Sequence, residues 1–241
     1  MKIKQGVRYY LHDYSRSVLI FYVVIATLIV INFVLRIFLR GASGGMSGME
    51  SATAIFLLVV GLNSFKTPFG LFLQNGVSRR TLWVDFLISA AILSVGMAVV
   101  DTLYGLLLTG TLRYTTMFAT MYLRGVRGFS AMGLLWSCFA NFTAMTFGFF
   151  VTTLYYRMNR PLKLLVSIGV PLLFFVVLPM VEVFVPTFTL FTSLIKLVSW
   201  AFGLNYLTPA PWHAIGTFTV LSAAMAGLSF LLVRTATLKS A

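Results

Sequence analysis

Residues 65 to 85, FKTPFGLFLQNGVSRRTLWVD, form the clearest break in an otherwise apolar chain and separate the helices on either side. Thr67 and Pro68 are typical of a helix start, because a Thr side chain can cap free N–H groups and Pro has no N–H to leave unpaired in the first turn. Gly76 is typical of a helix end, since Gly adopts the left-handed turn at low cost. With two arginines after it, the stretch predicts a short, amphipathic, basic helix at a membrane surface.

The composition of the chain is that of a membrane protein. Of its 241 residues, 59% are hydrophobic and 10% are charged, and the mean hydropathy is +0.96, far above the values of soluble domains. The stretches between apolar runs are too short for a separate water-soluble domain. Residues 1–241 are therefore expected to form one transmembrane domain, with the fold class of an all-α membrane protein.

The net charge of +13 comes from 18 Lys and Arg residues that fall mainly between the apolar runs. In a membrane protein such residues orient the chain and contact anionic lipid headgroups. Membrane lipid is therefore the partner that this charge predicts, and nucleic acid is not.

Six apolar runs are each close to the ~20 residues that cross a bilayer core. The predicted spans are residues 17–39, 46–65, 82–108, 129–155, 164–185 and 212–233. The last span contains Ala223 and Gly227, whose four-residue spacing permits close helix packing.

Residues 1–16 are expected to form an amphipathic helix that lies in the membrane interface. Apolar side chains recur there at three- and four-residue spacing, with basic side chains elsewhere around the helix. The residues assigned to this interfacial helix are Val7, Arg8, Tyr10, Leu11 and Tyr14. The alternative is a basic leader that only fixes the orientation of the chain.

The segment 186–211 is apolar but begins and ends with proline. Its best helical piece, residues 187–200, is shorter than a span requires. Non-helical backbone is tolerated at membrane depth only where protein or water satisfies it. We therefore expect a re-entrant or interfacial hairpin that caps the bundle before the sixth span.

The distribution of basic residues predicts the orientation. An even number of spans places both termini on one side, and that side carries most of the Lys and Arg residues. They are Lys2, Lys4, Arg8, Arg16, Lys66, Arg79, Arg80, Arg157, Arg160, Lys163, Arg234 and Lys239, against Arg36, Arg40, Arg113, Arg124, Arg127 and Lys196 on the other side. The positive-inside rule therefore predicts that both termini are cytoplasmic.

Motifs for catalysis are absent from the sequence. There is no G-x-x-x-x-G-K-[ST] phosphate loop, no H-E-x-x-H or G-x-S-x-G motif and no pair of cysteines, and the two histidines stand alone. We therefore predict that the chain is not an enzyme and that it does not bind a metal ion.

Acidic residues within spans are functional candidates, because a carboxylate is costly to place in hydrocarbon. Glu182 and Asp101 are the candidates for a cavity in the bundle. Glu182 lies between two prolines, so it could instead hydrogen-bond the backbone that they free. Asp85 is about one helical turn from Arg80 and Thr81 and could simply pair at the surface.

The order of these parts resembles the permease subunits of type-2 ATP-binding-cassette exporters. Such permeases have an N-terminal interfacial helix, six spans, a cytoplasmic coupling helix after the second span and a re-entrant hairpin before the sixth. The likeness is sharpest at FLQNGVSRRT, residues 72–81, which is similar to the x-x-G-x-S-R-[RK]-T segment of such permeases in Gram-positive bacteria.

The resemblance implies a dimer of permeases, identical or with a sister subunit, in the bacterial cytoplasmic membrane. A separate cytoplasmic ATPase would bind ATP and Mg²⁺, and this chain would bind no cofactor. Residues 66–81, the coupling segment, would contact that ATPase, and the positions carried over from the resemblance are Phe69, Leu71, Phe72, Gln74, Asn75, Gly76, Ser78, Arg79, Arg80 and Thr81. Export of an apolar or amphipathic compound, such as a peptide, bacteriocin or drug, is the expected activity.

Two alternatives stay open at this stage. Arg79 and Arg80 could serve only as a positive-inside anchor. The whole chain could be a secondary transporter or channel, although those proteins usually show internal repeats or ion-binding carboxylates deep in several spans.

Overall fold

The computed structural model describes residues 3–38, 47–123, 125, 128–184, 189–204 and 209–236. In this part of the chain ten α-helices follow one another, with a π-helical turn, Leu173–Val177, between the seventh and eighth. They are α1 Ile3–Phe38, α2 Glu50–Asn63, α3 Lys66–Gln74, α4 Arg79–Leu112, α5 Met117–Tyr122, α6 Ala131–Arg157, α7 Arg160–Leu172, α8 Leu178–Phe184, α9 Leu190–Ala201 and α10 Pro211–Arg234.

Six helical stretches are long and apolar enough to cross a bilayer, so the chain is a multi-pass membrane protein. They are Ile3–Leu35, Glu50–Gln74, Arg79–Gly110, Ala131–Arg157, Arg160–Phe184 and Pro211–Arg234. The predicted all-helical class and the number of apolar spans are confirmed.

The first helix differs from the prediction, because the predicted boundary between residues 16 and 17 is not a helix end. Helix α1 runs without a break through its 36 residues, which corresponds to about 54 Å. Beyond Gly6 this stretch contains no glycine or proline that would interrupt it. The interfacial segment and the first span are therefore one helix, longer than the ~30 Å hydrocarbon core.

Helices α2, α4, α6 and α10 form the bundle, with α6 in contact with the other three. The closest approach is between α2 and α6, where a Cβ on Gly61 would overlap the Met145 carbonyl and a Cβ on Gly148 would overlap the Leu58 carbonyl. Small residues allow this backbone contact. The close packing that Ala223 and Gly227 would permit does not occur at Gly227, which faces open space.

The fifth span, Arg160–Phe184, stands apart from this bundle. None of its residues is buried. The Ser167 hydroxyl of this span lies 2.9 Å from the Tyr155 hydroxyl of α6, within hydrogen-bond distance. Helix α9, with 12 residues, is too short to cross the hydrocarbon core. It joins α8 to the start of α10.

The connection between the third and fourth spans is folded. Arg113 ends α4 in the left-handed conformation, with φ of 51°, and the chain then returns over the start of α2. The Gly48 N–H donates to the Thr115 carbonyl at 3.3 Å, and α5 follows against α6. The bundle therefore has an α5 end and, opposite it, an α3 end that carries the coupling segment.

Candidate functional site

Helix α3 has the end that its sequence predicts. Gly76 has a φ of +69°. Its N–H donates to the Leu73 carbonyl at 3.1 Å, and the Val77 N–H donates to the Phe72 carbonyl at 2.9 Å. With Val77 and Phe72 both buried, this is a Schellman motif with its apolar contact. The helix begins at Lys66, so Pro68 lies in its first turn as expected. The predicted cap is wrong, because Phe65 is the N-cap residue, no side chain caps the helix, and Thr67 lies inside it.

Helix α4 begins three residues earlier than predicted because Ser78 caps it. The Ser78 hydroxyl accepts the Thr81 N–H at 3.1 Å. Only two residues, Val77 and Ser78, therefore separate the Gly76 turn from α4.

Two arginines fasten the end of α10 to this region. Arg79 Nη1 donates to the Arg234 carbonyl at 2.7 Å, and Arg157 Nη1 donates to the Thr235 hydroxyl at 2.8 Å. Cations are stabilising at the negative end of a helix dipole. Arg79 thus has a structural role within the chain, whereas Arg80 is exposed.

Two residues assigned to a partner's groove lie inside the protein instead. Phe69 and Phe72 are each 1% exposed. The Phe69 ring stacks on Phe65 at 4.8 Å between centroids, and the Phe72 ring meets Tyr9 and Tyr10 edge-on. The prediction that these two rings contact a partner is therefore wrong. Both rings lie on the side of α3 that packs against the bundle.

The exposed edge of the coupling segment consists of other residues of the predicted set. Helix α3 turns Leu71, 39% exposed, away from the bundle. The remaining exposed side chains and backbone positions are Lys66, Thr67, Gln74, Asn75, Gly76, Ser78 and Arg80, with Arg79 and Thr81 half-buried. This edge is polar and basic with one large apolar side chain.

The first turns of α1 pack on α3 and α4 through the predicted tyrosines. Tyr10 is fully buried and Tyr14 is 5% exposed. The Tyr10 hydroxyl donates to the Ser64 carbonyl at 3.4 Å, and the Tyr14 hydroxyl donates to the Ser64 hydroxyl. Both therefore bind the joint between α2 and α3.

The other predicted residues of α1 lie toward the outside. Val7 and Leu11 are half-buried, and Arg8 is exposed. Together with Ile88 of α4 they line an open groove. A basic, partly apolar groove of this kind suits the membrane interface.

Asp85 does not lie at the surface, so the surface pairing that was considered for it is not observed. It is fully buried, and neither carboxylate oxygen accepts a hydrogen bond from any described residue. Gly6 covers it so closely that a Cβ at that position would overlap the Oδ2 atom. The crossing of α1 over α4, a contact far apart in sequence, removes Asp85 from solvent.

Asp101 is buried where α1, α2 and α4 meet. It is 1% exposed, and its Oδ1 accepts the Tyr22 hydroxyl at 3.1 Å. Toward the α5 end, the Oε2 of Glu50 accepts the Met117 N–H at 2.8 Å. Burial and the nearby Glu50 charge raise the pKa of Tyr114, whose hydroxyl accepts the Met49 N–H at 3.1 Å.

Two roles were considered for Glu182, a position in a cavity and a local hydrogen bond. The structure shows local hydrogen bonds. Its Oε2 accepts the Thr192 N–H at 3.0 Å, and its Oε1 accepts the Thr192 hydroxyl. The carboxylate therefore joins α8 to the first turn of α9.

A cavity of about 480 Å³ lies between α2, α6 and α10, within the ~300–1,000 Å³ range of small-molecule sites. Its wall is mostly apolar, with rings from Phe147, Phe202 and Phe218. Glu50, Trp136 and Asn141 are also among its lining residues. We call it the bundle cavity.

The sequence reasoning missed this cavity and the folded connection beside it. Tyr114, Phe118 and Tyr122 are all buried and recur every four residues, a helical spacing that was available as a signal. Tyr122 donates to the Phe202 carbonyl at 2.7 Å. Burial raises the pKa of Tyr122, so its hydroxyl stays a donor.

No protein-family model, curated protein or solved structure matches the chain. Among the described residues, no group of His, Cys, Asp or Glu is arranged to hold a metal ion. Two places therefore qualify as functional sites on their own geometry, namely the exposed edge of the coupling segment and the bundle cavity.

Proposed function

We propose that the chain is the transmembrane subunit of an ATP-binding-cassette exporter, and that a separate ATPase binds at the α3 end. The observation that carries this proposal is the position of α3 at the end of the second apolar stretch, directly before the third. Buried rings fix it to α1, and a two-residue joint connects it to α4, while its opposite edge is exposed. A force applied to that edge would move both long helices.

The character of the α3 end supports an external partner. Lys66, Arg80 and Arg160 are exposed there, and Leu71 provides an apolar anchor among polar neighbours. Such a surface suits an acidic protein groove, since complementary charge steers association. With both termini in the cytoplasm, as the positive-inside rule predicts, an ATPase that carries ATP and Mg²⁺ has access to it.

The isolated fifth span supports a second permease subunit. A helix with no buried residue gains van der Waals packing when it meets another protein helix in the bilayer. A second copy of this chain, or a sister subunit, would supply that contact. The transported compound would be apolar or amphipathic, such as a peptide or a drug-like molecule, and the complex would act in the bacterial cytoplasmic membrane.

A secondary transporter or channel is the second candidate, because three acids are buried in the spans. Asp85, Asp101 and Glu50 are each at most 8% exposed. Buried intramembrane carboxylates are typical of proton and ion pathways. Such a protein would transport with an ion gradient alone and would need no ATPase.

Purification of the tagged chain from its native membrane separates the two candidates. The exporter proposal predicts that an ATPase with a phosphate loop is recovered in stoichiometric amounts, and that its hydrolysis depends on this chain. Replacing Arg79 and Arg80 by Glu should reduce recovery while membrane insertion is unchanged. Recovery of the intact chain with no ATPase would favour the second candidate.

A further inference from the structure

A basic stripe lines one side of the open groove between the first turns of α1 and α4, which we call the α1 groove. Lys4, Arg8 and His12 all line this groove and are exposed. They recur every four residues, so their side chains follow one face of the helix. No acidic residue of the described chain lines the groove. Asp13, the nearest acid in sequence, points about 100° further round the helix than His12. The positive charge is therefore not neutralised within the groove.

An apolar stripe adjoins the basic one. Val7 and Leu11 are half-buried on α1, and Ile88 of α4, 39% exposed, lines the same groove. Ile92, about one turn further along α4, is 49% exposed, so the apolar surface continues from the groove along the third span. A groove with cations on one side and apolar side chains on the other is complementary to an amphipathic anion.

The contacts between α1 and α4 place the groove beside the hydrocarbon core. Gly6 lies against Asp85. Further along, the Tyr22 hydroxyl donates to Asp101 Oδ1 at 3.1 Å, and these two pairs are equally spaced along both helices, so the helices run parallel and in step. The groove ends just before the apolar part of α1, which begins at Ser17. That end therefore lies at the level of the lipid headgroups, which border the core.

We propose that the α1 groove binds an anionic phospholipid from the leaflet around it. The phosphate lies against Lys4, Arg8 and His12, whose side chains are hydrogen-bond donors, and opposite charge attracts such a headgroup. The start of an acyl chain lies against Leu11 and Ile88. The bound lipid holds the first turns of α1 beside α4. This goes beyond the proposed function and requires no ATPase, so the two proposals can fail separately.

A photoactivatable phosphatidylglycerol, with a diazirine near the start of its acyl chain, tests this with the full chain in phosphatidylcholine nanodiscs. At subsaturating probe, crosslinks are expected in residues 3–15 and 88–92. Arg8→Gln should weaken labelling about fivefold, because it removes one cation that faces the phosphate. Arg160→Gln is the matched control, since Arg160 is exposed but lies outside the groove, and it should leave labelling unchanged.

Thermal stability gives a second measurement. Added phosphatidylglycerol should raise the Tm of the wild type and of Arg160→Gln more than that of Arg8→Gln. Because Arg8 is exposed, the variant should fold, with the same Tm as the wild type in pure phosphatidylcholine.

Four results would overturn the proposal. Equal labelling by a phosphatidylcholine probe would show that the charge of the lipid is not recognised, and equal labelling of the Arg8 and Arg160 variants would show that the basic stripe does not bind it. Displacement of the probe by inorganic phosphate would indicate a site for free anions. Displacement by the copurified ATPase would assign the groove to that protein.

Discussion

Gly6 and Asp85 meet where the first turns of α1 cross the start of α4. No Cβ fits at residue 6 unless the carboxylate moves, and the helices are held on either side by Tyr10 and Phe86, whose rings lie 6.2 Å apart. The attachment of the amphipathic end of α1 therefore depends on the absence of one methyl group.

Gly6→Ala is predicted to destabilise the protein by overpacking this contact. A cost of ~1–3 kcal/mol corresponds to a fall in Tm of roughly 3–10 °C, measured by fluorescence-detected gel filtration after heating. Asp85→Ala should restore the Tm in the double variant, since it clears the space. Gly70→Ala is the control, because a Cβ there meets nothing within 4 Å. Equal Tm values for Gly6→Ala and the control would contradict this account.

Residue-level signals in the sequence were sufficient where they are local. Gly76 and Pro68 correctly marked the ends of α3, because left-handed turns and first-turn prolines depend on backbone conformation alone. The burial of Asp85 beneath Gly6 could not be read, since it depends on two helices that cross far apart in sequence. The inward direction of Phe69 was missed for the same reason, because α3 has apolar side chains on more than one side.

At the scale of helices, the bundle depends on the close contact of α2 and α6. Gly61→Ala is predicted to lower the Tm by roughly 3–10 °C, because its Cβ would meet the Met145 backbone, which cannot rotate away as a side chain can. Gly227→Ala in α10 is the matched control, since it faces open space. A Gly61→Ala variant as stable as Gly227→Ala would show that the two backbones are not in contact.

The fifth span, Arg160–Phe184, has no residue that is buried by the rest of the described chain. Hydropathy identified it as a span, but a sequence contains no signal for a neighbour that belongs to another molecule. Its apolar side chains, among them Leu165 and Phe175 at 65% and 80% exposed, are available for a second subunit.

Cysteine crosslinking tests that role. In a Cys138→Ser background, single cysteines are placed at positions 164–176, and one at Leu228 of α10 serves as control. A homodimer through this span predicts crosslinked dimers at every third or fourth position, and none at Leu228. Uniformly absent crosslinks, in a complex whose mass corresponds to one permease chain, would contradict a dimer.

For the whole molecule, six spans and an all-helical class follow from hydropathy and length, which need no knowledge of packing. The continuity of α1, the folded connection around Tyr114 and the bundle cavity depend on how distant segments meet, so composition could not predict them. The coupling segment combines both levels. The end of α3 at Gly76 was predictable, while the exposed edge at Leu71 and Arg80 emerged only from the packing of Phe69 and Phe72.

The proposed function requires that a partner ATPase binds this exposed edge and moves the membrane helices through it. The rate of ATP hydrolysis by the purified complex in nanodiscs tests this requirement most directly. Leu71→Glu with Arg80→Glu should reduce hydrolysis at least tenfold, because a desolvated apolar anchor and a charge contact are both lost. Arg160→Glu, another exposed basic residue at this end, should retain most of the rate. Hydrolysis unchanged in the Leu71 and Arg80 double variant, with the ATPase still bound, would contradict the account.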